Sequence, residues 1–327
     1  MELFSKLTKD IIVHENQGYA LYFYYNGKTL EKVNGKLSTN DSLDISFDTN
    51  FRLASVSKQF IAYSIINLIQ EGLLDYNTNI LEIFSDLPSY FKDIKIKNLL
   101  NHTSGIYDYE DMPHHETDPQ IQDSDILDFL KTTNQTYFEV GTKYKYSNTA
   151  YILLGLIVEK VSKEKITDYI ENNVFKKAGM INSKVNLEGI TKIKNRAYGH
   201  LLDSNNNLVV KDQYWCSATI GDGGLYSSVN DLKKWIKYLV TTKNFKDMKV
   251  PNYVGCDDYN FYGLGIRTIK VDDGEIHYHC GDTIGTNTLL LFSIDLKLCL
   301  IFLTNLGHVN TEIMKNNLLE IIPSLYR

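Results

Sequence analysis

Residues 51–60 read Phe51-Arg52-Leu53-Ala54-Ser55-Val56-Ser57-Lys58-Gln59-Phe60. A serine hydroxyl is a poor nucleophile at neutral pH and needs a base within hydrogen-bond reach. A lysine three residues on can supply one. Positions i and i+3 share a helix face, so Ser55 and Lys58 at a helix start stand side by side. The N–H groups of that first turn point the same way and favour negative charge. The stretch therefore predicts a serine-acylation site in one turn of helix. The helix itself is predicted over Gln59 to Leu73, where Phe60, Ile61, Ile65, Ile66, Leu68, Ile69 and Leu73 make a buried stripe. Gly72 ends or bends it.

On the N-terminal side, Tyr19 to Tyr25 is aromatic and β-favouring, Asn26-Gly27 follows, and Lys28 to Val33 continues. That is a hairpin with a two-residue primed turn. The middle of the chain reads mainly helical, over Ile96 to Asn101, Ser124 to Lys131 with Ser124 as cap, Thr149 to Val161, and Lys165 to Lys177. Long loops are expected from there to about Ala218. Asp231 to Thr241 reads as a helix capped by Asn230. The period then changes to strands at Tyr262 to Val271, Glu275 to His279, Asn287 to Ser293 and Leu298 to Thr304, with an Asp273-Gly274 turn. Val309 to Ile322 reads as a closing helix. Strands at both ends with helices between predict an α+β fold, an antiparallel sheet flanked by helices and built from both termini. The expected division is 1–75 with 218–327 as the sheet domain and 76–217 as an inserted, mainly helical domain, with the active site in the cleft between them.

Composition narrows the function classes. The 327 residues are 43% hydrophobic and 23% charged, enough for a large core. A net charge of −6 gives no electrostatic case for nucleic acid or an anionic membrane. No apolar stretch approaches the roughly 20 residues that span a bilayer. The cysteines at 216, 256, 280 and 299 form no CxxC pair, which suggests neither a zinc site nor a disulfide framework. No metal or cofactor is expected. The N-terminus lacks the features of a signal peptide. A cytoplasmic location is therefore the expectation, or an exported one if a leader has been removed.

Two further elements could carry chemistry. Tyr146-Ser147-Asn148 precedes the helix from Thr149. Tyrosine acts as a base only if nearby cations lower its pKa from about 10. Asn148 could hydrogen-bond a substrate amide. His279-Cys280-Gly281 ends a predicted strand, where glycine admits a close backbone approach. A substrate could lie along that strand, with the N–H groups of Ser55 and Asp282 as an oxyanion hole. Each element alone has a plainer reading. The chain has 23 tyrosines, and a histidine at a strand end usually faces solvent. His114-His115-Glu116 reads as a solvated loop, His102 and Ser104 as turn-formers near the site, and Trp215 and Tyr107 as core or cleft rim.

Taken together and in this order, SxxK, YxN and HxG resemble the class C β-lactamase-like family of penicillin-recognising serine hydrolases. That family holds D,D-carboxypeptidases, β-lactamases, D-amino-acid peptidases and esterases. Residues 51–60, the stretch Leu99-Leu100-Asn101-His102-Thr103-Ser104-Gly105-Ile106, and Gly223-Gly224-Leu225-Tyr226-Ser227-Ser228 before Asp231-Leu232 match the family's segments. The resemblance runs from about residue 19 to 305. It implies Ser55 as the acylated nucleophile, Lys58 and Tyr146 sharing proton transfer, and Asn148, His279, Cys280, Gly281 and Asp282 binding substrate. It leaves open which of Lys58 and Tyr146 is the base. The substrate would be a small molecule or peptide with an amide, lactam or ester bond. D-Peptidase or D,D-carboxypeptidase is the favoured subclass, a promiscuous carboxylesterase the alternative, and a silent penicillin-binding or sensor homologue the third reading. Three departures from the family pattern stand out, the first touching a loop and not the chemistry, the other two bearing on substrate choice. Val140 replaces a usual proline. Cys280 replaces a threonine or serine that helps bind a carboxylate. Asp282 lies beside the expected oxyanion hole, so its side chain should point away or pair with a cation. His279 stands where many relatives carry lysine.

Overall fold

The computed structural model describes residues 2–115, 118–250 and 260–325. Its main sheet has seven antiparallel strands: β1 (Tyr19–Tyr25), β2 (Lys28–Asn34), β3 (Asn260–Tyr262), β4 (Arg267–Val271), β5 (Gly274–Thr283), β6 (Thr286–Ser293) and β7 (Leu298–Thr304), in the order β2-β1-β7-β6-β5-β4-β3. The N-terminal hairpin joins the C-terminal strands because β1 pairs along its length with β7, Tyr19 opposite Thr304 and Tyr25 opposite Leu298. Alternation along the strands divides the core in two. Leu21, Phe23, Leu289, Leu291, Leu300 and Phe302 face α1 (Glu2–Leu7) and the closing helix. Leu290, Phe292, Ile301 and Leu303 face the helices from the middle of the chain. The sheet is thus buried on both sides, which explains the near-continuous apolar runs of β6 and β7.

The helix after Ser55 is α2 (Lys58–Gln70), and it is buried on nearly every face. It packs on α3 (Asn148–Ser162), whose N-cap Ser147 accepts a bond from the Ala150 N–H at 3.1 Å. On its other side lies α4 (Val229–Leu239). Trp235 sets its ring 4.5 Å from Phe60 and donates to Gln59 Oε1 at 3.2 Å. An aromatic pair in contact, here tilted by 35°, adds about 0.5–1.5 kcal/mol to the burial of its area. The closing helix is α5 (Thr311–Leu325), which lies against β6.

Several expectations change. The cap of α4 is Ser228, whose hydroxyl accepts the Asp231 N–H, while Asn230 reaches Asp48 instead. Asp123, not Ser124, opens the helix Asp123–Thr132. The segment read as loops before Ala218 holds three short strands, Lys184–Val185, His200–Leu202 and Leu208–Val210. Two or three residues are too few to show alternation, so sequence could not mark them. The strand expected over Tyr262 to Val271 breaks into β3 and β4 around Gly265, whose φ is +74°. A Cβ there would stand 2.7 Å from the Lys58 carbonyl oxygen, so this turn packs against the start of α2.

Candidate active site

The turn that carries Ser55 is clamped from two directions. Phe51–Arg52 pairs with Leu225–Ser227, and the Leu53 N–H continues that ladder to the Leu225 carbonyl at 2.8 Å. The Leu53 carbonyl accepts from Thr288 Oγ1 of β6, also at 2.8 Å. Between these anchors Ala54 sits at φ +47°. An alanine in that region stores about 1–3 kcal/mol of strain, held by the surrounding bonds. The turn Ala54–Ser57 is a 3₁₀ turn leading into α2. Arg52, buried beneath it, donates to the Ser217 and Gly223 carbonyls.

Lys58 is fully buried, and its Nζ donates to Ser55 Oγ at 3.0 Å, Asn148 Oδ1 at 2.6 Å and the Asp222 carbonyl at 2.8 Å. Burial lowers its pKa to about 8, with Asp222, Glu110 and Asp108 pulling the other way. The Tyr146 ring lies 5.0 Å from Lys58 Nζ and 5.8 Å from the Arg267 guanidinium carbon. Its buried hydroxyl has no hydrogen-bond partner of ordinary geometry, although Ser55 lies near enough to favour the phenolate. Burial outweighs these influences and holds the Tyr146 pKa well above 10. Ser55, Lys58, Tyr146 and Asn148 are thereby gathered at one place.

The HxG residues divide. Beyond Tyr278, β5 has no strand partner on its β4 side among the described residues, and this edge faces the Ser55 turn. Gly281 is where the two come closest, because a Cβ there would overlap the Leu53 carbonyl oxygen and Thr288 Oγ1. Gly281→Ala is expected to cost about 1–3 kcal/mol by overpacking and to slow acylation by displacing the turn. A thermal unfolding curve and an intact-mass time course would check both, and an unshifted midpoint with normal acylation would refute the contact's importance. His279 is buried and already engaged. Its Nδ1 lies 2.6 Å from the Cys280 carbonyl, which can only accept, so Nδ1 carries the proton. Its Nε2 then accepts from Tyr262 Oη at 3.1 Å. Burial, with Arg267 and Lys58 nearby, lowers its pKa to about 3. A neutral ring with both nitrogens occupied supplies no cation to a substrate.

Cys280 is a correction. Strand alternation turns it to the α5 side, where Sγ donates to Glu312 Oε1 at 3.4 Å and burial raises the thiol to about 12. It does not reach the cleft. Asp282 lines the recess beside Ser55 and takes a hydrogen bond from the Asn287 amide at 2.8 Å, and among the described residues it pairs with no cation.

Three contributors were not singled out from sequence. Asp222, just before Gly223-Gly224, gives Lys58 its backbone carbonyl and accepts Tyr109 Oη on Oδ2 at 2.7 Å, leaving buried Oδ1 without a partner. Glu110 lines the recess beside Ser55 together with Arg52, Asn148 and Asp222. Partial burial, then Asp222 and Asp108, raise its carboxyl to about 7, while Lys58 and a hydrogen bond from Asn148 act against this. Arg267, at the start of β4, stacks near Tyr146 and Tyr262. His102, read as a turn-former, sits at φ +60° and also backs Tyr146, with ring centroids 4.4 Å apart. Its Nδ1 accepts the Ser147 N–H. Trp215 is core, stacked on His114 at 4.2 Å, whereas Glu116 and Cys256 lie outside the described residues. A larger groove of about 500 Å³, lined by Tyr22, Lys233 and Phe292 among others, contains none of the expected site residues. Among the described residues no cluster of metal-ligating side chains occurs, and no helix is long and apolar enough to cross a membrane.

Comparison with known proteins gives four concordant findings. A family model described as Beta-lactamase matches residues 5–321. Penicillin-binding protein 4* of Bacillus subtilis (strain 168) is 29% identical over 315 residues, covering 90% of this chain and 66% of that protein. The chain thus spans just under two thirds of that relative's length. Among solved structures, a penicillin binding protein from Bacillus halodurans superposes with TM-score 0.83 at 23% identity, covering 98% of this chain and 99% of that one. D-Amino acid amidase from Ochrobactrum anthropi SV3, complexed with D-phenylalanine, superposes with TM-score 0.81 at 21% identity, covering 99% of each chain.

Proposed function

The chain belongs to the Beta-lactamase family, and from that premise we propose that it is a serine hydrolase that opens amide bonds next to a free amino group, as an amidase or aminopeptidase. The observation that carries the chemistry is the buried Lys58 amine at 3.0 Å from Ser55 Oγ. With a pKa near 8, a useful fraction of that amine is neutral at physiological pH. Tyr146 is held protonated at neutral pH, so Lys58 takes the base role and Tyr146 the acid role. Ser55 Oγ attacks the carbonyl carbon and its proton passes to Lys58. Tyr146 then protonates the leaving nitrogen as the C–N bond breaks, and is reprotonated from Lys58. Water next attacks the Ser55 ester, the acid is released and Oγ regains its proton. The backbone N–H groups of Ser55 and Asp282 are the donors assigned to the oxyanion.

Substrate choice follows from charge. The recess beside Ser55 is lined by the carboxylates of Glu110, Asp222 and Asp282 and by the guanidinium of Arg52, which is engaged by the Ser217 and Gly223 carbonyls, so acidic groups outnumber basic ones there, and no ion pair satisfies Glu110 among the described residues. His279 is neutral and Cys280 is turned away, so the HxG segment offers no cation. Such a recess favours an ammonium on the acyl side. A D configuration of the acyl residue is taken from the printed names of D-amino acid amidase and of a D-stereospecific amidohydrolase, both similar in fold. The test compares a D-aminoacyl amide with its N-acetylated form. Glu110→Gln is expected to lower kcat/KM for the free amine at least tenfold more than for the acetylated form, about 1.4 kcal/mol of selectivity. In the wild type that preference should fade as pH drops through about 7, where Glu110 takes up its proton. A preference that survives both Glu110→Gln and pH 5.5 would defeat the assignment.

A further inference from the structure

A charged lysine has three N–H donors, and a neutral one has two and a lone pair. Lys58 Nζ meets Ser55 Oγ at 3.0 Å, Asn148 Oδ1 at 2.6 Å and the Asp222 carbonyl at 2.8 Å. The last two are carbonyl oxygens and can only accept. In the neutral amine they take both hydrogens, which leaves the lone pair for the Ser55 hydroxyl. The Asp222 carbonyl therefore aims the base. Asn148 is fixed as the first residue of α3, but Asp222 lies in an irregular segment, outside any helix or strand. Asp123, half-buried at the start of the helix Asp123–Thr132, grips that segment. Its Oδ1 accepts the Ile220 N–H at 2.8 Å and its Oδ2 the Gly221 N–H at 3.0 Å. From the other side the segment is pressed on α3, since a Cβ on Gly221 would stand 2.5 Å from the Tyr151 carbonyl oxygen and 2.6 Å from Ile152 Cα. Burial, then Asp222, raise the Asp123 carboxyl to about 7, with Glu159 acting in the same direction and the two N–H bonds opposing. Glu188 lines the same outer cleft. At pH 8 and above Asp123 is thus a carboxylate with both oxygens free to accept.

We infer that Asp123 is a positioning residue of the active site: by holding the Ile220 and Gly221 N–H groups it keeps the Asp222 carbonyl on Lys58 and so aims the amine at Ser55. This rests on the reading of Lys58 as the base of a serine hydrolase and deepens it. Asp123 acts only through Asp222. The sign of its effect on Lys58 is definite. A carbonyl that drifts away takes an acceptor from the ammonium, and the Asp222 carboxylate, which raises the Lys58 pKa, drifts with it. The charged form is weakened, and the Lys58 pKa falls further below its ordinary value. Glu110, Asp108, Tyr146, Tyr151, His102 and His279 are the other titratable groups around that amine. All stand on other segments and keep their places when the Asp222 segment moves.

The experiment follows acylation of the full chain by an activated D-aminoacyl ester from pH 6 to 9, in the wild type, Asp123→Asn and Gly221→Ala. Asparagine keeps one acceptor but turns an N–H group against the other backbone donor. Gly221→Ala pushes the same segment off α3 without touching Asp123. In both variants the limiting rate at high pH is expected to fall at least about tenfold, because the lone pair is no longer aimed. The acylation midpoint should drop below the wild-type value near 8 by at least about half a pH unit. The half-saturating ester concentration should change by less than about twofold. A carboxylate with a merely structural role would lower the melting temperature and leave the midpoint of the folded protein where it was. A midpoint unmoved in the variants, or a limiting rate unchanged, overturns the inference. If the wild type is not acylated at Ser55, the hydrolase reading itself fails. If it is acylated with no midpoint near 8, the base assignment fails and the inference with it. If the wild type behaves as described and only the variants do not respond, Asp123 alone is at stake. Circular dichroism melts establish that each variant is folded, and should Gly221→Ala not fold, the nearly isosteric Asp123→Asn decides.

Discussion

Ser55→Ala protein forms no covalent adduct, and its hydrolysis falls by at least about a thousandfold. The expectation follows from the site's economy of contacts. Ser55 Oγ is the half-exposed hydroxyl that meets Lys58 Nζ at 3.0 Å, and Asn148 and the Asp222 carbonyl already take the other bonds of that ammonium. Removing Oγ costs one hydrogen bond to that ammonium, about 1.5–3 kcal/mol, so the fold should persist with its melting point lowered by several degrees. The measurement is intact mass over time with a labelled penicillin and with an activated D-aminoacyl ester. Wild type should gain one acyl group with either reagent. The lifetime of the penicilloyl adduct separates a slow penicillin-binding peptidase from a β-lactamase. A mass gain that persists in Ser55→Ala would place the nucleophile elsewhere and end this account of the site.

Replacing Lys58 by methionine should remove activity by a comparable factor and flatten the pH dependence as well. The wild-type acylation rate is expected to rise from pH 6 to 9 with a midpoint near 8, since only the neutral amine can accept the Ser55 proton. Stability provides an independent check with a definite sign. The native pKa of about 8 lies below the unfolded value near 10.5, so between those values the unfolded chain binds more protons than the native one. Stability must therefore rise with pH across that window, by about 3 kcal/mol in all at 1.36 per unit. The carboxylates of Asp222, Glu110 and Asp108 restrain the shift and keep the cost from growing. In Lys58→Met this slope should vanish. Urea melts at pH 7.5, 9 and 10 measure it directly. A wild-type slope of zero, or one unchanged in Lys58→Met, would mean that Lys58 is not titrating where the mechanism requires.

The two variants also divide roles that their neighbours blur. Tyr146 stands within reach of two cations, yet burial wins and keeps it protonated. A tyrosine that starts protonated can give its proton to a leaving nitrogen without first finding one. A lysine that starts near neutrality can accept one without first losing its own.

The nucleophile turn, its helix and the order SxxK, YxN, HxG were legible in the chain. They depend on near neighbours: the i, i+3 spacing of Ser55 and Lys58, the apolar stripe of α2, and the glycine that lets β5 approach the turn. The hairpin of β1 and β2 was legible for the same reason, since Asn26-Gly27 specifies its own turn. The cap of α4 moved by two residues because Ser228 and Asn230 are equally good caps on paper, and only Asp48 gave Asn230 another partner.

What tertiary structure alone decided is the charge of the cleft. Sequence assigned His279 and Cys280 to substrate, but a strand shows its side chains alternately to two faces, and the second face was claimed by α5 and Glu312. The neutrality of His279 was set by its burial, with Arg267 and Lys58 brought near from other parts of the chain. Glu110, Asp222 and Arg267 belong to no short motif, and they meet only because the middle of the chain is folded back onto both ends of the sheet. Spacing along a chain fixes which groups share one turn of helix or one strand. The sign of the field around a reacting atom is a sum over groups from every part of the fold, and it exists only once they are brought together.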